Sequence, residues 1–427
     1  MENKSYMEDF RRSYGIPAPA AETNESSGGV LLPSIGGRRR YSSIRQPRRG
    51  ISLSSQVVNG LAPAAVHCHG WLKGPADPAG ELHDLSDRNL LCCSINESEA
   101  VIGGADHSLH TVNLSDNQPS GSSYRARDAG HRDWVTGVVH TRRGTVVSTG
   151  MDGQVCHWSS SSRGDCRQVR GHSGSVAVLR GDMDGHIVTG GYDGDIKVWD
   201  CSQPNRLNMQ CNLTAAAEPQ LSSIPVLDLS WHDSTLCSGH RDGQLGWWDV
   251  SSGELLHASK AHRGHATVVA HSLDGPSPMF LSGGQDGCVK VWDEKSPSAC
   301  ALSIAPHRSK EGVGAVGGIL CLGNNIISYG ADMAIAVMDI RAVGQGGRAI
   351  QHKVTHHRDY IYAMASVGHT LLTGDGAGMV LVHDLAAGTS LKYGMGCCNG
   401  AVRCIATTDT QLVVAGDDGN ALVYNFS

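Results

Sequence analysis

His131-Arg132-Asp133 has the residue types of a phosphotransfer catalytic loop, in which the aspartate takes a proton from a hydroxyl. The asparagine that such a loop needs downstream is missing at the right spacing. A related run, His357-Arg358-Asp359-Tyr360-Ile361, echoes His131-Arg132-Asp133-Trp134-Val135. A duplicated structural position explains both. Gly374-Asp375-Gly376-Ala377-Gly378 has the glycine density of a phosphate cradle, but no helix follows to bring its dipole to the anion. Asp182-Met183-Asp184-Gly185 begins like a calcium loop and lacks the later glutamate that would complete it. His67-Cys68-His69 offers soft ligands, with no second cluster to make four. Cys92-Cys93 and Cys397-Cys398 are adjacent doublets without zinc-site spacing, and are expected to serve as small apolar residues on or beside strands. These fragments support no enzyme, and no metal or cofactor is expected.

The elements that carry them are short. Of 427 residues, 54 are glycine and three phenylalanine, which suits many tight turns between brief strands. The net charge of −6 argues against a wholesale nucleic-acid binder. It hides an asymmetry: residues 1–55 hold nine Lys/Arg against five Asp/Glu, or +4, leaving −10 for the rest. The opening MENKSYMEDF has no apolar core and predicts no signal peptide, and no apolar run approaches a bilayer's width. With fourteen cysteines and no export signal, free thiols and a cytoplasmic location are expected.

Residues 1–60 are rich in Ser, Gly, Pro and Arg and are expected to form a disordered tail. Six arginines fall within residues 38–49, where an acidic protein surface, RNA or anionic lipid would find a contact. Ser13 and Ser42, each following an arginine pair, are candidate phosphosites whose modification would cancel local charge.

From about residue 61 to 427 the chain repeats. Ser175–Asp200 reads as a strand (Ser175–Leu179), a second strand (His186–Thr189), a tight turn at Tyr192-Asp193-Gly194 and a third strand (Ile196–Asp200). Aligned on the turn, the copies place Asp106, Asp152, Asp193, Asp242, Asp286, Asp332, Ala377 and Asp418 in register, 41–49 residues apart. Six positions later come Val112, Trp158, Trp199, Trp248, Trp292, Met338, His383 and Tyr424, and Asp follows in five copies.

This pattern resembles the WD-repeat family, with four strands per repeat arranged as the blades of a β-propeller. The resemblance implies an all-β ring of eight blades, with seven as the alternative if one copy is absorbed as an insert. The last copy ends after its third strand, so its fourth is expected from residues 61–85, as the family closes its ring. The family's His, Ser/Thr, Asp, Trp network is matched by His131, Ser148, Asp152, Trp158; by His172, Thr189, Asp193, Trp199; and by His265, Ser282, Asp286, Trp292. The copies at Asp242 and Asp332 are read as lacking the His, and the copy at Ala377 as lacking the Asp.

The resemblance implies a non-enzymatic scaffold that binds protein partners rather than a small-molecule substrate. Met151, Tyr192, Arg241 and Gln285 precede the turn Asp and are expected on the docking face, with Trp134 and Tyr360 nearby. Two alternatives remain. One is a substrate receptor of a cullin-RING ubiquitin ligase, docked through Met338-Asp339-Ile340-Arg341, a degenerate W-D-x-R with Arg341 as the contact. The other is a membrane or cytoskeletal adaptor tethered by the tail.

Overall fold

The structure is a computed structural model that describes residues 69–426, apart from 116–123, 125–128, 142–143, 160–163, 182–184, 204–205, 217–220, 273–277, 295–296, 298, 309–311 and 341–348. Eight antiparallel sheets follow one another along the chain, so the seven-bladed alternative is set aside. Blade 3 is typical. Its strands Val176–Gly181, His186–Gly191, Ile196–Asp200 and Asn208–Asn212 pair in sequence order from the inside outward. The second strand runs to Gly191, two residues past the predicted end.

Burial is greatest in the middle strands and falls toward the rim. His186–Gly191 and Ile196–Asp200 are largely buried, whereas the outer strand Asn208–Asn212 is mostly exposed. The middle strands are largely buried on both faces because each blade is packed between two others. The inner strands touch their neighbours all the way round, and the last, Val402–Thr407, meets the first, Leu90–Ile95.

Glu81–Asp84 supplies the fourth strand of blade 8 and pairs with Asn420–Asn425, from Glu81 opposite Val423 to Asp84 opposite Asn420. The expected closure is therefore present, and it removes an open edge. A short helix, His69–Lys73, precedes it. Its Trp71 stacks on Phe426 with ring centroids 3.9 Å apart and donates from Nε1 to the Asp409 carbonyl at 2.8 Å. Blade 1 has three described strands, and Tyr124 bridges to Leu109 on their outer side.

Alternation of strand direction puts each blade's leading loop and the turn between its second and third strands at the same end. One face of the disc thus carries all eight of these turns.

Candidate functional site

That face is knitted together by one bond used eight times. The residue before each turn donates its N–H to the carbonyl of the residue closing the leading loop. The pairs are Ala105–Asn89, Met151–Trp134, Tyr192–Ser175, Arg241–Pro225, Gln285–His265, Ala331–Ala315, Gly376–Tyr360 and Asp417–Ala401, all at 2.8–3.0 Å. Trp134, Met151, Tyr192, Arg241, Gln285 and Tyr360 therefore stand at equivalent stations around one ring, each partly exposed.

Beneath the turns run the hydrogen-bonded networks. In blade 3 the Trp199 Nε1–H donates to Thr189 Oγ1 at 2.9 Å. His172 bridges Thr189, 2.7 Å from Nε2, and Asp193, 3.0 Å from Nδ1. A carboxylate only accepts, so Nδ1 carries the proton and Nε2 receives the threonine O–H. Asp193 also accepts the N–H groups of Ser173 and Asp195. Blade 2 repeats this through His131, Ser148, Asp152 and Trp158.

Blade 5 corrects the sequence reading. His262, not His265, spans Ser282 (2.8 Å) and Asp286 (3.0 Å), with Trp292 donating to Ser282 at 2.9 Å. His265 lies 21 residues before Asp286, as His131 does before Asp152, but the hairpin between Ala266–Ser272 and Met279–Gly284 is longer and moves the true partner three residues back. His265 instead donates its backbone N–H to Gln285 Oε1.

Two further readings are overturned. The Asp332 copy does have its histidine: His307 meets Asp332 at 2.8 Å and Ser328 at 2.9 Å. The Ala377 copy does have a carboxylate, two residues early. Asp375 takes the bond from His357 Nδ1 at 2.9 Å, while His357 Nε2 meets Thr373 at 2.7 Å.

The shift to Asp375 has a steric cause. In blade 3 the equivalent residue is Gly191, where a Cβ would lie 2.4 Å from Asp193 Oδ1 and 2.5 Å from His172 Nδ1. A side chain at that position grows directly into the His–Asp contact, and Asp375 puts its own carboxylate there. Blade 4 uses the same position differently. It lacks the leading-loop histidine, as expected, but His240 fills the space and its Nε2 lies 2.8 Å from Ser238, which also accepts from Trp248.

The networks of blades 2, 3, 5 and 6 hold the carboxyls of Asp152, Asp193, Asp286 and Asp332 below the usual carboxylate range. Burial by itself pushes the Asp286 carboxyl up, but the hydrogen bond and charge of His262 and the N–H groups of Arg263 and Cys288 outweigh it and hold it at about 2. Burial acts without such opposition on His383, the residue at the Trp position of blade 7. Together with the nearby His357 and His356 it lowers that imidazole to about 3.

The fragments that imitate catalytic motifs and lie wholly among the described residues have structural roles in these blades. His131 is committed to Ser148 and Asp152. In the glycine-rich run, the N–H groups of Ala377 and Met379 point to Asp375 Oδ1, leaving them engaged rather than offered to a phosphate. Among the described residues, no group of three or more His, Cys, Asp or Glu is placed to hold a metal ion. No helix among them is long and apolar enough to cross a membrane. The tail of residues 1–60, with Ser13, Ser42 and residues 38–49, lies outside the described residues, as do His67, Cys68, Asp182, Met183, Asp184 and Arg341.

Sequence reasoning missed two features of the ring. Each inner strand is bulged next to its leading loop, as at Thr136 between Val135 and Gly137. The bulged residue of blade 8 is Arg403, 3% exposed, whose Nε and Nη2 each donate to Asp417 at 2.7 Å. Its guanidinium sits 4.6 Å from the centre of the Tyr362 ring, the bulged residue of blade 7. The signal was an arginine inside an apolar strand and a doubled acid, Asp417-Asp418, at one turn.

A closed eight-bladed β-propeller with His–Ser/Thr–Asp–Trp networks defines the class. The family described as "WD domain, G-beta repeat" matches residues 123–159, 164–200 and 253–293, and the chain belongs to the WD40-repeat β-propellers. Proteins of this family typically serve as protein-interaction scaffolds. The chain is similar to the DENN domain and WD repeat-containing protein SCD1 of Arabidopsis thaliana, at 25% identity over 69% of this chain and 25% of that protein. It is also similar to the telomerase protein component 1 of Rattus norvegicus, at 26% identity over 48% of this chain and 7% of that one. The chain thus spans a quarter or less of the length of these relatives. Among solved structures, Saccharomyces cerevisiae Sqt1 has the same fold, with a TM-score of 0.68 and 15% identity over 82% of this chain and 99% of that one.

Proposed function

We propose that the chain is a non-enzymatic adaptor that docks protein partners on the face carrying its turns. The observation that supports this most is the ring of eight equivalent backbone bonds, which fixes Trp134, Met151, Tyr192, Arg241, Gln285 and Tyr360 on rigid stations of one surface. Aromatic and arginine side chains held on a stiff scaffold bind with little loss of freedom, and such residues dominate interface energetics. Most of the polar groups below them are consumed by the blade networks. The basic segment 38–49 serves as a tether to an acidic surface in this reading.

The test is the double variant Tyr192→Ala/Arg241→Ala, with partners recovered by affinity purification of the full chain. Recovery falls while the melting temperature stays within about 2 °C of the parent, since surface changes seldom exceed about 0.5 kcal/mol. Unchanged recovery rejects this face as the docking surface. Deleting residues 1–60 should change where the chain resides and leave the partners of the disc in place.

A further inference from the structure

Six of the eight turns carry glycine just after the turn residue, with φ between 71° and 89°. Blade 6 has Met333 there, at φ 59°. A methionine in the left-handed region is strained, because its Cβ crowds the following carbonyl. The strain displays a side chain: Met333 is 37% exposed, and Val313 in the leading loop of the same blade is 47% exposed. They are the large apolar residues exposed on the turn face among the described residues. The other five, Leu82, Met209, Leu256, Ile350 and Leu391, lie on outer strands at the rim.

Arg263, Arg308 and Lys353 lie on the leading loops and outer strand of blades 5 and 6. Arg308 pairs with Val313 across its loop, and its Nε donates to the Asp286 carbonyl at 3.0 Å, which fixes its guanidinium between the turns of blades 5 and 6. Arg263 gives its backbone N–H to Asp286 Oδ2, and its side chain has no ionic partner among the described residues. Lys353 Nζ lies 2.9 Å from Asp332 Oδ2. Among the described residues the carboxylates of this sector are engaged: Asp286 by His262, and Asp332 by His307 on one oxygen and by Lys353 on the other. Arg263 and Arg308 are cations of this sector without an ionic partner among the described residues, on the same face as the exposed methionine and valine.

We propose that this sector of blades 5 and 6 seats an acidic peptide segment of a protein partner, with one bulky apolar side chain of that peptide against Met333 and Val313 and its carboxylates on Arg263 and Arg308. The proposal rests on the adaptor reading and narrows it to one sector and one partner chemistry. Charge complementarity brings the segment in and the apolar contact holds it.

The experiment is a selection of random 12-residue peptides displayed on phage against the full chain, followed by affinity measurements with the enriched peptides. The expected peptides hold acids flanking one large apolar residue, and their affinity falls as salt rises. Met333→Gly weakens them about tenfold while the melting temperature stays level or rises about 1–3 °C, because the glycine relieves the strained turn. Arg263→Glu weakens them similarly. Enrichment of neutral or basic peptides overturns the proposal, as does Met333→Gly binding the enriched peptides as the parent does. Peptides displaced by Tyr192→Ala/Arg241→Ala but indifferent to Met333→Gly reject this sector and leave the docking face standing. Binding of anionic vesicles or RNA at these arginines, with no acidic peptide enriched, rejects the peptide as occupant.

Discussion

Blades 3 and 7 make the same connection with different atoms. In blade 3 the carboxylate belongs to the turn residue Asp193, and the neighbouring Gly191 leaves room for it. In blade 7 the turn residue is Ala377, and Asp375 at the glycine position supplies the carboxylate. Blade 3 ends its network in the indole of Trp199, whereas blade 7 has the buried imidazole of His383. What is constant is the space between a leading-loop histidine and a serine or threonine on the second strand. Which residue fills that space is negotiable. A missing letter in a repeat therefore does not mean a missing interaction.

The largest effect expected is at the indole. Trp199 is 1% exposed and packs with Val139, Leu179 and Ile187. Trp199→Ala should cost about 3–5 kcal/mol in chemical unfolding, by cavity formation and by loss of its bond to Thr189. His383→Ala in blade 7 should cost less, because it deletes a smaller side chain and one whose burial is already unfavourable.

The middle effect tests whether the two arrangements are interchangeable. Asp193→Ala should cost about 2–3 kcal/mol, since His172 keeps its buried position and loses its acceptor. Adding Gly191→Asp to that variant copies blade 7 into blade 3 and should return about 1 kcal/mol by restoring an acceptor. Gly191→Asp alone should destabilise, because Asp193 then occupies the same space. If the double variant is no more stable than Asp193→Ala, the equivalence of the two carboxylates fails.

The smallest effect is a slope. His383 is lowered to about 3 by burial and by the two neighbouring histidines, so its folded value lies below the unfolded one near 6.5. Its contribution to stability is full above pH 6.5 and is lost as the pH falls toward 3. Between pH 6 and 4.5 the unfolding free energy should decline by up to about 1.4 kcal/mol per unit from this group. Restoring the repeat's own residue with His383→Trp should flatten that slope in urea titrations. The turn aspartates act lower. Asp286, held at about 2 despite the opposing effect of burial, keeps its contribution above pH 4 and loses it only as the pH drops through 2.

The architecture was legible because one pattern recurs eight times, and every copy reinforces the register of the others. The closing strand was also legible, since an incomplete last copy demands a partner from upstream. Individual bonds were less so. The His265 assignment failed because linear spacing measures the hairpin's length as well as its geometry, and that hairpin carries three extra residues. Asp375 and His240 were missed because they replace a glycine whose importance lies in the volume it leaves empty, which the sequence records only as absence. Met333 gave no sign either: only the backbone angle distinguishes a strained methionine from an ordinary one. Arg403 was detectable in principle, as a charged residue inside a buried strand must find a counter-ion.

The pairing of Glu81–Asp84 with Asn420–Asn425 joins segments separated by most of the chain. Such a contact forms late, because a very long loop must be closed before any bond rewards it. A ribosome must therefore have synthesised the eighth blade before the circle can lock. Until then the rear edge of the nascent chain stays unpaired and exposed to whatever else in the cell can offer it a strand.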